Sequence, residues 1–252
     1  MATISFRNRK LDTTVSGVVG LEVVADQPEE PALSRLFCKQ IKRQVVMKTT
    51  NLISGIYQVI PYTYEEKNNY HGLFEATINR LLGSVPSQSD PHLIHMFGIP
   101  GSGKTTYINN HKTAYSDYLI IGFDDLMEMI PAYQQDVKKL GAAQAYENWV
   151  LPARIAGYEL LRRAVEAKKN IIFDHGGSPQ CHQELLRNVK KFGYKTKMIY
   201  ISCPLQTALE RATARELQIH RHIPQQTIIE RFRLTEQAVE KYKSIVDDFV
   251  VL

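Results

Sequence analysis

The residues with the clearest chemical meaning lie in one glycine-rich segment near the middle of the chain. Residues 98–106 contain the pattern G-x-x-x-x-G-K-[ST], in which glycines let backbone N–H groups turn toward a phosphate. We expect Lys104 to reach the β- and γ-phosphates of ATP, and Thr105 to offer its hydroxyl to Mg²⁺. The alternative is a glycine-rich turn with a solvated lysine. The residues predicted to bind the nucleotide are Gly98, Ile99, Pro100, Gly101, Ser102, Gly103, Lys104, Thr105 and Thr106.

This pattern requires a strand before it and a helix after it, and the sequence predicts both. The short apolar run His92–Phe97 lies between Pro91 and Gly98, as a buried strand does. Residues 104–110 can begin the helix, whose N-terminus adds partial positive charge at the phosphate. The glycine-rich segment is therefore predicted to connect a strand to a helix.

Two further predicted strands end next to carboxylates. One covers residues 118–121 and precedes Asp124 and Asp125, and the other covers residues 170–174 and ends in Asp174. The carboxyl ends of parallel strands meet at one edge of a sheet, so we expect these aspartates to face the glycine-rich segment. Asp124 is the better placed base for an acceptor hydroxyl, and Asp174 is expected to hold Mg²⁺ through a water or to contact the acceptor. The alternative for Asp124 and Asp174 is a helix N-cap.

Positive charge for a transferring phosphate is expected from three arginines late in the chain. Arg211 and Arg215 are one turn apart on a predicted helix, and Arg221 lies in the break that follows it, where a lid would sit. A guanidinium can bind two phosphate oxygens at once. For Arg211, the alternative is a solvated helix face paired with Glu210 and Glu216.

Three histidines near these segments are interpreted as polar loop residues. They are His175, His220 and His222, and none has a second ligand at a spacing typical of a metal site. We therefore do not predict a transition-metal site from the sequence.

Helices separate the predicted strands, which indicates an α/β fold: a parallel sheet of about five strands with helices on both faces. One helix is expected from about Tyr133 to Val150, and Pro152 either kinks it or starts a new helix that continues to Lys168. The other predicted elements are helices over residues 180–191 and 204–217, a last helix with Ile228, Phe232, Val239 and Tyr242 on one face, and strands over residues 198–201 and 249–252.

The first third of the sequence is the least informative part. We predict two units: an N-terminal extension over residues 1–85, and a catalytic domain over residues 86–252. Apolar residues between Ala32 and Val45 recur at helical spacing with basic residues between them, which favours an amphipathic helix and allows a protein partner there. A second helix is expected to end at Gly83.

Composition restricts the class of protein only weakly. The chain has 252 residues and a net charge of +5 that is spread along it, which fits anionic ligands without a specific nucleic-acid signal. No apolar run is as long as a membrane span. Three cysteines, an odd number without paired spacing, favour reduced thiols and a cytoplasmic protein.

Over residues 70–252 the sequence resembles the zeta-toxin family of P-loop kinases. The loop is similar to the family's, residues 120–124 with Pro131-Ala132-Tyr133 resemble its strand, catalytic aspartate and following Pro-x-Tyr, and residues 221–224 resemble its lid. The resemblance implies a P-loop kinase-like fold that uses ATP and Mg²⁺ to phosphorylate a hydroxyl, typically of UDP-N-acetylglucosamine. It also implies that Asp124 is the base and Arg221 the lid arginine. The earlier arginine would be Arg215, with Arg211 as the competing alignment.

The sequence differs from the family pattern on the acceptor side. Met127 stands where the family often has an arginine, and residues 175–178, His-Gly-Gly-Ser, replace an arginine-bearing segment. Asp174 stands where a glutamate is usual. The resemblance therefore predicts the nucleotide half of the site better than the acceptor half.

Three functions remain open at this point. The leading one is an ATP-dependent kinase that phosphorylates a hydroxyl of a small-molecule acceptor. A polynucleotide-end kinase would use the same loop and aspartate, although no cluster of basic and aromatic residues indicates a nucleic-acid groove. The third is a non-catalytic NTP-binding module, because a motif is not an activity.

Overall fold

The computed structural model describes residues 64–176, 181–219 and 223–252. The amphipathic helix predicted before residue 46 lies outside the described residues, and so do Arg221, His220 and His222. The partner role predicted for the N-terminal region stays a prediction. None of the helices in the described ranges is both long and apolar enough to cross a membrane.

Five parallel strands form one sheet, as the sequence predicts. They are β1 (His92–Phe97), β2 (Tyr118–Gly122), β3 (Asn170–Asp174), β4 (Lys195–Tyr200) and β5 (Asp248–Val251). The strand order across the sheet is β2-β3-β1-β4-β5, and every neighbouring pair is parallel. The chain therefore places β1, with the glycine-rich segment at its carboxyl end, in the middle of the sheet.

Eight helices surround this sheet in the described part of the chain. They are α1 (Tyr64–Gly83), α2 (Lys104–Asn110), α3 (Phe123–Glu128), α4 (Pro131–Leu140), α5 (Ala142–Glu166), α6 (Cys181–Lys191), α7 (Leu205–Ile219) and α8 (Gln225–Lys243). Helices alternate with strands from β1 onward, as a parallel sheet requires.

The strand residues pack alternately on the two faces of the sheet. In β1, Leu93 and Phe97 are buried in the larger core cluster, which contains residues of α1, α5, α6 and α8. Ile94 and Met96 face the other side, where Ile108 of α2 is buried with them. Burial on both faces explains why β1 and β3 are mainly apolar rather than alternating. The prediction of helices on both faces is confirmed.

The helix boundary between α4 and α5 differs from the prediction. α4 ends before Gly141, whose φ of 84° suits glycine, and α5 then continues through Pro152 to Glu166. Pro152 neither ends α5 nor starts a new helix. A positive φ lies outside the helical region, so the helix ends at Gly141, whereas Pro152 is buried within α5.

Helix α1 lies before the predicted boundary at residue 86 and packs on the catalytic domain. Phe74 and Ile78 are buried in the larger core cluster. Arg163 of α5 donates to both carboxylate oxygens of Glu75, at 2.7 and 2.8 Å, and its Nε donates to Glu159 at 2.9 Å. This paired geometry fixes the orientation of α1 on α5. The division at residue 86 stays a prediction.

Candidate active site

The glycine-rich segment connects β1 to α2 in a conformation that requires glycine. Gly98 and Gly101 have φ values of 144° and 83°. A Cβ atom on Gly101 would lie 2.4 Å from the carbonyl oxygen of Ala208, and one on Gly98 would lie 2.7 Å from that of Ile201. Both the backbone conformation and the close packing therefore exclude larger residues. The loop is held against β4 and α7.

Lys104 begins α2 and folds back over this loop. Its Nζ donates to the carbonyl oxygens of Gly98 at 2.9 Å and Ile99 at 3.0 Å. Burial lowers the pKa of Lys104; Arg231 and Arg215 lower it further, and Asp174 opposes them. The lysine is thus close to the other charged groups of the site, and it is not the solvated lysine of the alternative interpretation.

The two residues predicted to hold Mg²⁺ lie against each other. The Thr105 hydroxyl donates to Oδ2 of Asp174 at 3.4 Å, and Asp174, the last residue of β3, pairs in register with Met96 of β1. Burial raises the pKa of Asp174, while Lys104, the Thr105 hydrogen bond and Arg215 lower it. A hydroxyl beside a carboxylate offers the oxygen ligands that Mg²⁺ prefers.

Asp124 and Asp125 lie in the first turn of α3, directly after β2. The N-cap of α3 is Gly122, so Asp124 is not the cap. Asp174 is not a cap either, because α6 begins seven residues later, at Cys181. The N-cap alternative is therefore wrong for both aspartates.

The carboxyl group of Asp125 has a strongly raised pKa. Burial raises its pKa from 3.8 to about 6; Asp174 and Glu128 raise it as well, and Arg215 opposes them. Ionised Asp125 is consequently held in an unfavourable environment at neutral pH.

We expect Asp125→Asn to stabilise the protein at pH 8 in magnesium-free buffer. Because its pKa is raised in the folded state, ionised Asp125 lowers the free energy of unfolding by up to about 3 kcal/mol, and an uncharged amide does not. Since the pKa is raised on folding, the gain in stability of the variant over the wild type is complete above about pH 7. It shrinks as the pH falls from about 6 toward 4, because Asp125 becomes protonated in the wild type. Thermal melting of both proteins at several pH values measures it, with Glu147→Gln on the surface as control. An equal gain at pH 4 and pH 8 would contradict the shift.

Both arginines of α7 reach the site. Nη1 of Arg211 donates to the carbonyl oxygen of Ser102 at 3.4 Å, within the glycine-rich loop. The charge of Arg215 lowers the pKa of Asp125 and of Asp174. Neither arginine is confined to the solvated face that was the alternative for Arg211. Which of them binds phosphate stays a prediction.

Two arginines that the sequence analysis did not identify also line this site. Arg154 comes from α5 and Arg231 from α8. A signal was present for Arg231: it falls at helical spacing between Ile228 and Thr235, on the buried face of α8. A cation on an apolar helix face usually has a specific reason to be there.

His175 lies in the loop after β3, as predicted, but its ring packs against other rings. Its ring stacks on Phe173 at 5.5 Å and lies 4.2 Å from the ring of His182, measured between centroids. His95 of β1 completes a cluster in which the candidate ligand nitrogens lie within 4.8 Å of one another. Burial lowers the pKa of His175 and His182 and that of His95, the last to about 3. The spacing argument missed this cluster because its members come from separate elements.

The glycine-rich loop, the three aspartates and the four arginines face one cavity of about 870 Å³ at the carboxyl edge of the sheet. Small-molecule sites usually have volumes of about 300–1,000 Å³. Its lining includes Gly101, Gly103, Lys104, Thr105, Thr106, Asp124, Asp125, Asp174, Arg154, Arg211, Arg215 and Arg231. The described residues that the sequence analysis predicted to be catalytic are therefore brought together.

The parallel sheet and the glycine-rich loop with its lysine define a P-loop nucleotide-binding protein of the kinase-like class. The sequence profile of the zeta-toxin family matches residues 77–251. The chain belongs to the zeta-toxin family, and the resemblance inferred from its motifs is confirmed. No curated protein sequence is similar enough to count as a match.

Solved structures share this fold at low sequence identity. A structure of the PezAT chromosomal toxin-antitoxin system of Streptococcus pneumoniae aligns with a TM-score of 0.58 and 18% identity, over 75% of this chain and 78% of that one. The AvrRxo1-ORF1:ORF2 complex with ATP aligns with a TM-score of 0.53 and 13% identity, over 80% of this chain and 66% of that one. At these identities the similarity concerns the fold alone.

Proposed function

We propose that this protein is an ATP-dependent kinase that transfers the γ-phosphate of ATP to a hydroxyl group of a small-molecule acceptor. The observation that carries the proposal is the convergence of the P-loop, Asp124, Asp174 and the α7 arginines on one cavity. Phosphoryl transfer requires a phosphate cradle, Mg²⁺, a group that orients the acceptor and positive charge. Each requirement corresponds to residues on this cavity.

The conformation of the glycine-rich loop supports the nucleotide half of this proposal. Gly98 and Gly101 have positive φ values, and their close packing on the carbonyl oxygens of Ile201 and Ala208 leaves no room for a side chain. In this proposal Lys104 contacts the terminal phosphates, and Thr105 and Asp174, whose side chains are hydrogen-bonded, hold Mg²⁺. Mg²⁺, when bound, neutralises charge on the phosphate oxygens.

The acceptor half depends on Asp124. In the proposed reaction its carboxylate accepts the proton of the acceptor hydroxyl, whose oxygen forms the new bond to phosphorus. Lys104 and an arginine of α7 stabilise the negative charge on the phosphoryl oxygens. ADP leaves, and the products are ADP and the phosphorylated acceptor.

We propose an anionic acceptor, with a nucleotide sugar such as UDP-N-acetylglucosamine as the first compound to test. Arg154 and Arg231 add positive charge to the cavity beyond the residues assigned to ATP. Arginine suits the diphosphate of such a compound. At the two places where the family has an arginine near the acceptor, this chain has Met127, which is 1% exposed, and the segment that begins at His175. This chain would therefore bind the acceptor with arginines from α5 and α8 instead.

The proposal is tested by incubating the purified chain with ATP and Mg²⁺ against a panel of metabolites and oligonucleotides. The panel includes UDP-N-acetylglucosamine, dinucleotides and DNA and RNA with free 5′-hydroxyls, and mass spectrometry detects the gain of one phosphoryl group. The proposal is supported if the wild-type chain phosphorylates a metabolite and the Asp124→Asn variant does not. Transfer only to oligonucleotides would make the protein a polynucleotide-end kinase. ATP binding without any transfer would favour a non-catalytic module.

A further inference from the structure

Three histidines form a buried cluster beside the proposed kinase site. His95 lies in the middle of β1, His175 directly follows β3, and His182 is in the first turn of α6. His95 and His182 are fully buried, and one candidate ligand nitrogen of each histidine lies within 4.8 Å of the other two. Only His175 also lines the cavity. The nucleotide and acceptor roles above do not use this cluster.

Three ring nitrogens of this cluster lack hydrogen-bond partners in the part of the chain that the structure describes. Among the described residues, neither Nδ1 nor Nε2 of His95 has a partner, and Nδ1 of His182 has none either. Most buried polar side-chain atoms in proteins are hydrogen-bonded. Three such atoms at one point are therefore an anomaly that a bound ligand would explain.

The second nitrogen of His182 is held in place. The hydroxyl oxygen of Tyr158, on α5, lies 2.6 Å from Nε2. A histidine that binds a metal through one nitrogen commonly donates its other N–H to an oxygen, which fixes the ring and its tautomer. When Nε2 of His182 donates to the Tyr158 oxygen, Nδ1 is the unprotonated nitrogen, which is the form that a metal binds.

We propose that His95, His175 and His182 form a three-histidine site for a transition-metal dication, Zn²⁺ foremost. Imidazole nitrogen is a ligand that Zn²⁺, Co²⁺, Ni²⁺ and Cu²⁺ bind well and Mg²⁺ does not. Tetrahedral zinc places ligand nitrogens about 3.4 Å apart, from Zn–N bonds of about 2.05 Å. Metal binding therefore requires the three rings to rotate toward one another from a separation of up to 4.8 Å.

The charges near the cluster restrict which metal it selects. Lys104 acts electrostatically on His95, and Arg154 and Arg231 act on His175 and His182. These cations oppose any dication, so binding requires strong metal–nitrogen bonds rather than charge attraction. We therefore expect that the histidine cluster does not bind Mg²⁺ at the concentrations that support phosphoryl transfer. Bound metal connects β1 and β3 to α6 and serves as a structural clamp.

Titration of the untagged, chelator-treated full chain with Co²⁺ tests the proposal. We expect one equivalent of Co²⁺ to give the visible absorption band of low-coordinate cobalt, Zn²⁺ to abolish it, and millimolar Mg²⁺ to leave it unchanged. Zn²⁺ at a hundredfold excess over its Kd should raise the Tm by about 5–10 °C. Absence of a band and of a Tm shift would overturn the proposal.

Variants locate the site and separate metal loss from misfolding. His95→Leu should abolish the band, and the control His111→Gln, at an exposed histidine near the end of α2, should retain it. Tyr158→Phe keeps the ring and should weaken Co²⁺ binding by about 10- to 100-fold with an unchanged fold by circular dichroism. This second variant decides the matter if His95→Leu does not fold. A band of full strength in folded His95→Leu, or unweakened binding by Tyr158→Phe, would overturn the assignment.

Discussion

Lys104→Ala is expected to reduce phosphoryl transfer by about two to three powers of ten with little loss of stability. The lysine is the one cation of the loop itself, and its Nζ lies against the carbonyl oxygens of Gly98 and Ile99. Removing one preorganised donor to a developing negative charge costs about 10²–10³ in kcat. Stability should be kept because burial already lowers the pKa of Lys104, so its charge is held in an unfavourable environment.

The measurement pairs initial rates of transfer with thermal melting on the same preparation. If no acceptor has been identified, release of ADP from ATP and Mg²⁺ in the absence of an acceptor is measured instead. Lys112→Ala is the matched control, because Lys112 is exposed just beyond α2 and does not line the cavity. Wild-type turnover in Lys104→Ala would show that the loop does not carry the reaction.

The sequence was most informative where a local pattern fixes both conformation and position. The glycine-rich segment requires a strand before it and a helix after it, and the structure has β1 and α2 there. Asp124 and Asp174 could be placed because each follows an apolar run, and parallel strands bring their carboxyl ends together. The parallel order of the strands therefore places residues that are far apart in the sequence next to one another.

The residues that were missed depend on contacts that no local pattern encodes. Arg154 and Arg231 reach the cavity from helices whose rotation is set by tertiary packing. The histidine cluster combines a strand, a loop and a helix, so no sequence spacing indicates it. The sequence does not indicate the helix break at Gly141, because proline is in general the stronger helix breaker and Pro152 follows nearby. In the structure Gly141 has a positive φ, which helices exclude, and Pro152 lies inside α5.

Asp124→Asn is expected to lower turnover by about two to four powers of ten while leaving ATP affinity and folding nearly unchanged. A carboxylate that accepts the acceptor's proton contributes to the chemical step, which corresponds to roughly 3–5 kcal/mol of barrier. Asn keeps the shape and removes the base. Because Gly122 rather than Asp124 is the N-cap of α3, the substitution removes no capping interaction. The experiment measures transfer rate, ATP affinity by calorimetry and Tm on one protein.

Asp125→Asn is the comparison that identifies the base. Its carboxyl group also lines the cavity, and a pKa of about 6 is close to the value that suits a general base near neutral pH. If Asp124 is the base, Asp125→Asn should lose far less activity than Asp124→Asn. If the order is reversed, Asp125 is the base, and wild-type activity should then fall as the pH drops below about 6, because protonation removes the acceptor for the hydroxyl proton. Glu147→Gln, an exposed acid on α5, controls for the loss of one negative charge.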